Sequence, residues 1–467
     1  MKDENMNRRI VLLPVLLFAL LLGAPAARAF APEDSIRVAP IAPGATVLTL
    51  DDALKIALSE SETIKIADKE VERSGYARKG TYAALYPQID IVGSYQRTLI
   101  KNDIRAMMGS DSPMAQSMPD TKIGNFNTFS ASASASMPII NAALWKSLKI
   151  SGQSVELAVE KARESRLNLI SQVKQGYYAA LLAKEALSVY LEVYENAKTS
   201  YIQTEKKYNV QKASELDMIT ARTSLASAVP DVYNAESTVI LALWQLKAVI
   251  GMKLEEEIDV AGTLEDYAQN MEVALSELEG VGLERSSALR QISLQSDQLL
   301  ETVRLKQLAY VPTISLTATF TYSAVANDPI QNLGWFPYSY AGISLAIPIF
   351  SGTKRLQDVR AARSQYQQMQ LTAQSTEKQL RIRVRQELSS METAARSFDA
   401  SREALVSAEK AYEIAAKSYE VGRATILELG NAQLALTRSR LAVIQPVYTF
   451  ISSKAELESI LGLDQNE

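Results

Sequence analysis

The chain contains no cysteine and no histidine among its 467 residues. Without cysteine there is no disulfide framework, no thiol nucleophile and no thiol to carry a lipid. Without histidine the commonest general base and the commonest metal ligand are also missing. No Gly-rich phosphate loop, no G-x-S-x-G and no clustered acidic metal site occurs, so no enzyme activity, cofactor or metal is expected. There is no basic excess either: 49 Lys and Arg against 53 Asp and Glu give a formal charge of −4. Nucleic acid is therefore not an expected partner. Past residue 29 no stretch approaches the ~20 apolar residues of a spanning helix, so a membrane could be entered only by strands.

The beginning of the chain, "NRRIVLLPVLLFALLLGAPAARAF", sets Arg8 and Arg9 before a short apolar core and ends in Ala27-Arg28-Ala29. This is the pattern of a secretory signal peptide over residues 1–29, cleaved after Ala29. Pro14 and Pro25 and the short apolar run argue against a membrane anchor. Removing the leader's four basic and two acidic residues leaves a formal charge of −6 on the mature chain.

What is present is a tandem repeat. A seven-residue ladder of Leu187, Tyr194, Tyr201 and Tyr208 reappears 211 residues later as Phe398, Leu405, Tyr412 and Tyr419. The same offset carries Val210 to Val421, Leu216 to Leu427, Leu225 to Leu436, Leu246 to Leu457 and Gly251 to Gly462 without a gap. Such self-similarity marks a duplicated unit. We divide the mature chain into an N-terminal repeat (30–251), a linker (252–274), a C-terminal repeat (275–462) and a short tail (463–467).

Each repeat opens with an amphipathic helical stretch that runs up to a proline, and two alternating strands follow. "TFSASASASMPI" sets Phe129, Ala131, Ala133, Ala135 and Met137 against Ser130, Ser132, Ser134 and Ser136. "TISLTATFTYS" does the same with Ile314, Leu316, Ala318, Phe320 and Tyr322 against Thr and Ser. Period two is a strand signature with one apolar and one wet face. Residues 89–99 and "YAGISLAIPIF" (340–350) complete four strands of roughly the length a tilted strand needs to cross a bilayer. Between them, residues 101–125 and "AVANDPIQNLGWF" read as loops, with Trp335, Phe336, Tyr338 and Tyr340 placed as an aromatic girdle. Known membrane barrels begin at about eight strands, so four must be completed by further copies. In such a barrel the Ser130–Ser136 row lines water and the Ala131–Met137 row faces lipid.

A helical tract of some 70 residues follows each strand pair, roughly 100 Å if unbroken. Heptad spacing of its apolar residues indicates coiled-coil packing. Each tract turns at a tip, "YNVQKASELD" or "YEVGRATILE", where Gly422 can end a helix in the left-handed conformation and Ser214 and Thr425 can cap the returning one. Asp217 and Glu428 stand three residues after those caps. Pro230 and Pro446 predict kinks in the returning helices.

The duplicated plan, the strand ends "MPIIN" and "IPIFSG" that lead into helices, and the two tips with closing glycines resemble the outer membrane efflux proteins, the TolC-like family, over essentially the whole mature chain. The resemblance implies a mainly α fold with a membrane β-barrel portion: a homotrimer whose 12 strands form one barrel in the outer membrane and whose helices form a periplasmic tunnel. The linker and the N-terminal stretch then wrap the tunnel's equator. It implies a passive exit duct of a tripartite efflux pump or type I secretion system. Its partners are a periplasmic membrane-fusion adaptor, an inner-membrane transporter of RND, ABC or MFS type, and outer-membrane lipid.

The same resemblance makes the tips a periplasmic gate, carried by Tyr208, Asp217, Tyr419, Gly422, Arg423, Glu428 and Asn431. Tyr419 aligns with the family's tip tyrosine; as the last rung of the heptad ladder it can equally be a packing residue. The family's basic residue two places after the glycine is Ala424 here, with Arg423 one position early. Glu428 matches the first of two acidic aperture positions, Asn431 stands at the second, and Glu428 also completes a capping box with Thr425. Departures are Gln211 in place of a tip glycine and the absence of Gly in "IINAA". The competing architecture is a soluble periplasmic coiled-coil scaffold or adaptor, which explains the leader and the helices but not four strands of membrane length.

Overall fold

The computed structural model describes residues 45–103, 113, 122–268, 271, 280, 282–331 and 333–463. The expected signal peptide, the residues after Leu463 and most of the first inter-strand segment lie outside the described residues.

In chain order the first repeat comprises β1 (Thr46–Leu48), α1 (Leu50–Glu60), α2 (Glu62–Ala83), β2 (Gln88–Arg97), the short β3 (Asn102–Asp103) and β4 (Lys122–Ile123), β5 (Asn127–Ile140), α3 (Ala142–Asn209) and α4 (Glu215–Ile250). After β6 (Ile258–Val260) and α5 (Glu265–Ala268) the second repeat runs through α6 (Ser287–Gln307), β7 (Thr313–Ala326), β8 (Gly334–Ala346), α7 (Lys354–Glu420) and α8 (Ile426–Leu461). The opening amphipathic stretch is thus broken at Ser61, whose side chain caps α2 by accepting from the Thr63 N–H.

The alternating segments of both repeats meet in one four-stranded antiparallel sheet of order β2-β5-β7-β8. Ser134 lies opposite Asp90 on one side and Thr319 on the other, and Thr319 opposite Tyr340, so one face carries rows of Ser and Thr. The other face carries Ile91, Ala133, Phe320 and Ser339 in one row and Met137, Leu316 and Ile343 in another. The register skips between Pro138 and Ile140, where the alternation of β5 ends. Among the described residues β2 and β8 each keep a free edge.

Two expectations about β8 need correction. The strand begins at Gly334 rather than near Tyr340, and it absorbs Pro337 opposite Tyr322, leaving a loop of residues 327–333. A proline without an N–H is tolerated there because the strand is an edge. In consequence Trp335, Phe336, Tyr338 and Tyr340 do not form one girdle. Trp335 lies on the apolar face and stacks on Tyr322 at 5.2 Å between centroids. Phe336, Tyr338 and Tyr340 stand opposite Ser323, Thr321 and Thr319, on the hydroxyl face. The apolar face instead carries one aromatic from each strand near the loop end: Tyr95 and Phe129, whose rings are 4.8 Å apart, then Tyr322 and Trp335. Beyond them Asp328 accepts from Arg97 and from Asn127 Nδ2 at 2.8 and 2.9 Å, fastening the β7–β8 loop to β2 and β5.

Below the sheet the helices form two antiparallel hairpins, α3–α4 and α7–α8. Buried positions on α4 fall at Ala221, Leu225, Ala228, Val232, Ala235, Val239, Ala242 and Leu246. Steps of four and three are a coiled-coil seam, and the alternating alanines permit close approach of the helices. Both returning helices run continuously through their prolines, Pro230 and Pro446.

The main core lies midway along α3. There β1 and β6 pair in parallel, and the buried Tyr177 hydroxyl bonds the carbonyls of Leu48 and Ala261. Lys184 Nζ reaches Asp259 at 2.6 Å and Glu185 accepts the Leu264 N–H, so the segment between the repeats is pinned to α3. Leu246, Ile250, Phe450, Leu457 and Leu461 fill the space beneath. Fully burying each such side chain contributes roughly 1.5–3 kcal/mol.

The repeats close alike at their glycines. Gly251 (φ 80°) ends α4 against the backbone of Glu60 and Ser61, where α2 begins. Gly462 (φ 72°) ends α8 against Arg285, just ahead of α6, and Arg163 ties both carbonyls together. Each returning helix thereby abuts the start of the helix that leads to a strand.

Candidate functional site

The candidate residues gather at the two hairpin tips. In the first, α3 ends at Asn209, Gln211 takes the left-handed conformation (φ 59°) usually left to glycine, and its N–H donates to the Tyr208 carbonyl at 2.8 Å. In the second, Gly422 (φ 76°) takes the equivalent place and Arg423 N–H returns to the Ser418 carbonyl at 2.8 Å. Closing the last turn this way satisfies carbonyls that a helix end leaves free.

Both returning helices start with a complete capping box. Ser214 Oγ accepts the Asp217 N–H at 3.1 Å while Asp217 accepts the Ser214 N–H at 3.0 Å. Thr425 Oγ1 accepts the Glu428 N–H at 3.2 Å and Glu428 accepts the Thr425 N–H at 2.7 Å. That backbone N–H, followed by the Thr425 hydroxyl, holds the exposed Glu428 carboxyl below its ordinary range. Glu428 is therefore a permanent anion at neutral pH. Asn431, one turn further on α8, is exposed as well, as are Gly422 and Arg423.

The two ladder-end tyrosines have opposite fates. Tyr208 is 37% exposed, whereas Tyr419 is 6% exposed, packed between the hairpins. The Tyr419 hydroxyl meets the fully buried Thr204 Oγ1, and Lys207 Nζ donates to the Tyr419 carbonyl at 2.6 Å while sitting 4.1 Å from its ring centroid. Thr204 and Lys207 were not singled out in the sequence. Their counterparts at the repeat offset are Ala415 and Ser418. That polar-for-small difference between otherwise matched repeats is the signal that could have found them. Among the described residues the Arg423 side chain makes no hydrogen bond or ion pair, so the structure brings Tyr419, Thr204 and Lys207 together and leaves Arg423, Glu428 and Asn431 facing outward.

The polar groups of the site are helix caps, a cation on an aromatic ring and one hydroxyl pair between the hairpins. No group of Asp and Glu able to hold a metal occurs among the described residues. Its contacts join two helical hairpins whose tips are charged and exposed.

Comparison with known proteins gives a consistent result. The sequence profile described as outer membrane efflux protein matches residues 53–252 and 281–463. The outer membrane protein TolC of Escherichia coli (strain K12) is 22% identical, over 76% of this chain and 73% of its own. Among solved structures, VceC from Vibrio cholerae superposes with a TM-score of 0.68 at 16% identity, covering 88% of this chain and 96% of that one. The Campylobacter jejuni CmeC outer membrane channel gives 0.69 at 18% identity, covering 88% and 85%.

Proposed function

Because the chain belongs to the outer membrane efflux protein family, we propose that it is a passive, trimeric exit duct in the outer membrane, serving a tripartite efflux pump or a type I secretion system. The observation that carries this reading is the sheet. It has one apolar face, one hydroxyl face and two free edges, in strands of 10 to 14 residues. At bilayer depth an open edge leaves backbone groups unpaired at several kcal/mol each, so β8 of one copy must pair with β2 of the next until the ring closes. Three copies give 12 strands, within the range of known barrels.

In that assembly the hydroxyl face lines water, the apolar face meets lipid, and Tyr95, Phe129, Tyr322 and Trp335 form the interfacial belt. The hairpins extend into the periplasm as a tunnel, with the β1–β6 segment around its middle. The tips form the gate, where a periplasmic adaptor and an inner-membrane transporter engage it. Exposed apolar side chains in rows on a sheet with open edges disfavour the soluble-scaffold alternative.

Light scattering with the detergent contribution subtracted should report three chains per particle, and the protein should fractionate with the outer membrane. A monomer or dimer, or recovery in an osmotic-shock supernatant without detergent, overturns the reading.

A further inference from the structure

The hydroxyl face of the sheet carries one feature that a water-lined wall does not require. Its rows on β5 and β7 hold eleven Ser or Thr, with Pro138 and Val325 as the exceptions, yet β8 places Phe336, Tyr338 and Tyr340 among them at every second residue. Alternate residues of a strand are about 6.5–7 Å apart, so the three rings form a ladder some 13 Å long. They are 48%, 53% and 59% exposed. Whereas the four aromatics of the opposite face are paired as Tyr95–Phe129 and Tyr322–Trp335, none of these three is in ring contact among the described residues. The Tyr338 and Tyr340 hydroxyls likewise have no hydrogen-bond partner among the described residues.

A carboxylate lies on the same face at the far edge of the sheet. The same face of the opposite edge strand, β2, carries Gln88, Asp90, Val92, Ser94 and Gln96. Asp90 is exposed and makes no ion pair among the described residues. When β8 of one copy meets β2 of the next, the ladder and a neighbouring Asp90 share one wall of the lumen. Free π faces attract cations, and a nearby carboxylate adds to that attraction.

We propose that Phe336, Tyr338 and Tyr340 form a binding lane in the barrel lumen for aromatic organic cations, with Asp90 of the adjoining copy as the counter-charge. The proposal rests on the duct reading, since that reading places the hydroxyl face toward water. It names a solute class for the barrel itself, independent of the transporter: ring-bearing organic cations are retained, and small hydrated inorganic cations pass unretained.

Ethidium is a suitable probe, measured by fluorescence anisotropy against the detergent-solubilised full chain, which does not require conduction. Replacing the ladder by residues of its own wall (Phe336→Thr, Tyr338→Thr and Tyr340→Thr together) should weaken ethidium binding at least about fivefold, the scale of lost cation–π contacts. Tyr338→Phe with Tyr340→Phe keeps the rings and should retain binding, and Asp90→Asn should weaken it by a smaller factor. Sodium ions, added as a competitor, should displace ethidium no more than the screening from their ionic strength accounts for. Equal ethidium affinity in the threonine variant overturns the proposal. So does loss of the trimer in that variant, which would make the rings a contact between copies. Failure of the duct reading is seen separately, as absence of conductance by the unsubstituted protein in planar bilayers.

Discussion

The Tyr419 hydroxyl lies 2.5 Å from Thr204 Oγ1, a contact between hairpins that begin more than 200 residues apart in the chain. Its neighbour Lys207 grips the same tyrosine twice, through the carbonyl and over the ring. In the proposed gate, moving one hairpin away from the other breaks this set, and the exposed counterpart Tyr208 offers no equivalent. The latch is therefore one-sided within the chain.

Tyr419→Phe alone removes one hydrogen bond, while Thr204 keeps its bond to the Ser200 carbonyl at 2.8 Å. The loss is about 1 kcal/mol and the effect on the gate should be slight. Combining it with Lys207→Ala removes the cation as well and should raise single-channel conductance and sensitivity to large antibiotics. Adding Arg423→Ala to Tyr419→Phe should do less, since the Arg423 side chain holds nothing among the described residues; a larger effect would assign Arg423 to a contact between copies. Tyr208→Phe serves as the control, and a comparable rise from it would contradict the latch.

Glu301 on α6 is buried among cations. Its carboxylate meets Lys146 and Lys149 of α3 at 2.8 Å each and Arg304 at 2.6 Å. Burial raises its pKa, but the hydrogen bonds and charges of Lys146 and Lys149 outweigh this and bring it down to about 2. A carboxyl held below its unfolded value contributes stability that is present above the unfolded range and lost as pH falls through the folded value. Thermal unfolding followed by helical circular dichroism should thus fall between about pH 4.5 and 2 in the native protein. In Glu301→Gln that portion of the decline should be missing, and stability at neutral pH should be about 1–3 kcal/mol lower, because Lys149 and Arg304 are half exposed and recover hydration. An unchanged acid limb would assign the decline to other carboxylates.

The sequence showed the periodic parts of this molecule and hid the parts that depend on which repeat faces what. Alternation and heptads are local, so the strands, the long helices, the Ser214 and Thr425 caps and the left-handed Gly422 were all legible. The start of β8 was not, because Gly334 and Pro337 carry the chemistry of a loop and only the strand's place at a sheet edge admits them. For the same reason the aromatic cluster reads as one group in the sequence, although counting by twos from Gly334 separates Trp335 from Phe336, Tyr338 and Tyr340. The burial of Tyr419 and exposure of Tyr208 follow from long-range packing, which a repeat offset treats as equal.

The closing glycines separate two costs. At Gly422 an added Cβ meets nothing within 4 Å, so Gly422→Ala should cost only the left-handed conformation, roughly 1–2 kcal/mol. At Gly251 the same atom would stand 2.9 Å from the Glu60 carbonyl carbon and oxygen, and those are backbone atoms at the joint with α2. Gly251→Ala should accordingly lower the unfolding midpoint clearly more than Gly422→Ala, with Gly462→Ala behaving like Gly251→Ala. Equal midpoints for Gly251→Ala and Gly422→Ala would show that the joint yields without cost.

Glu428 is a helix cap in the structure and, in the proposed duct, a candidate pore charge. Its carboxylate caps Thr425 within the chain, yet it is exposed and ionised, and three copies drawn around a narrow axis would concentrate cations there. Asn431, a turn beyond, adds no charge. Glu428→Gln keeps the size of the side chain and much of its hydrogen bonding while removing one charge per chain. In planar bilayers under a salt gradient the reversal potential should then move toward zero, and block by trivalent cations from the periplasmic side should weaken. Asp217→Asn, which alters the matching cap of the first hairpin, should move the reversal potential less. An unaltered potential and block in Glu428→Gln would leave Glu428 to the helix cap alone.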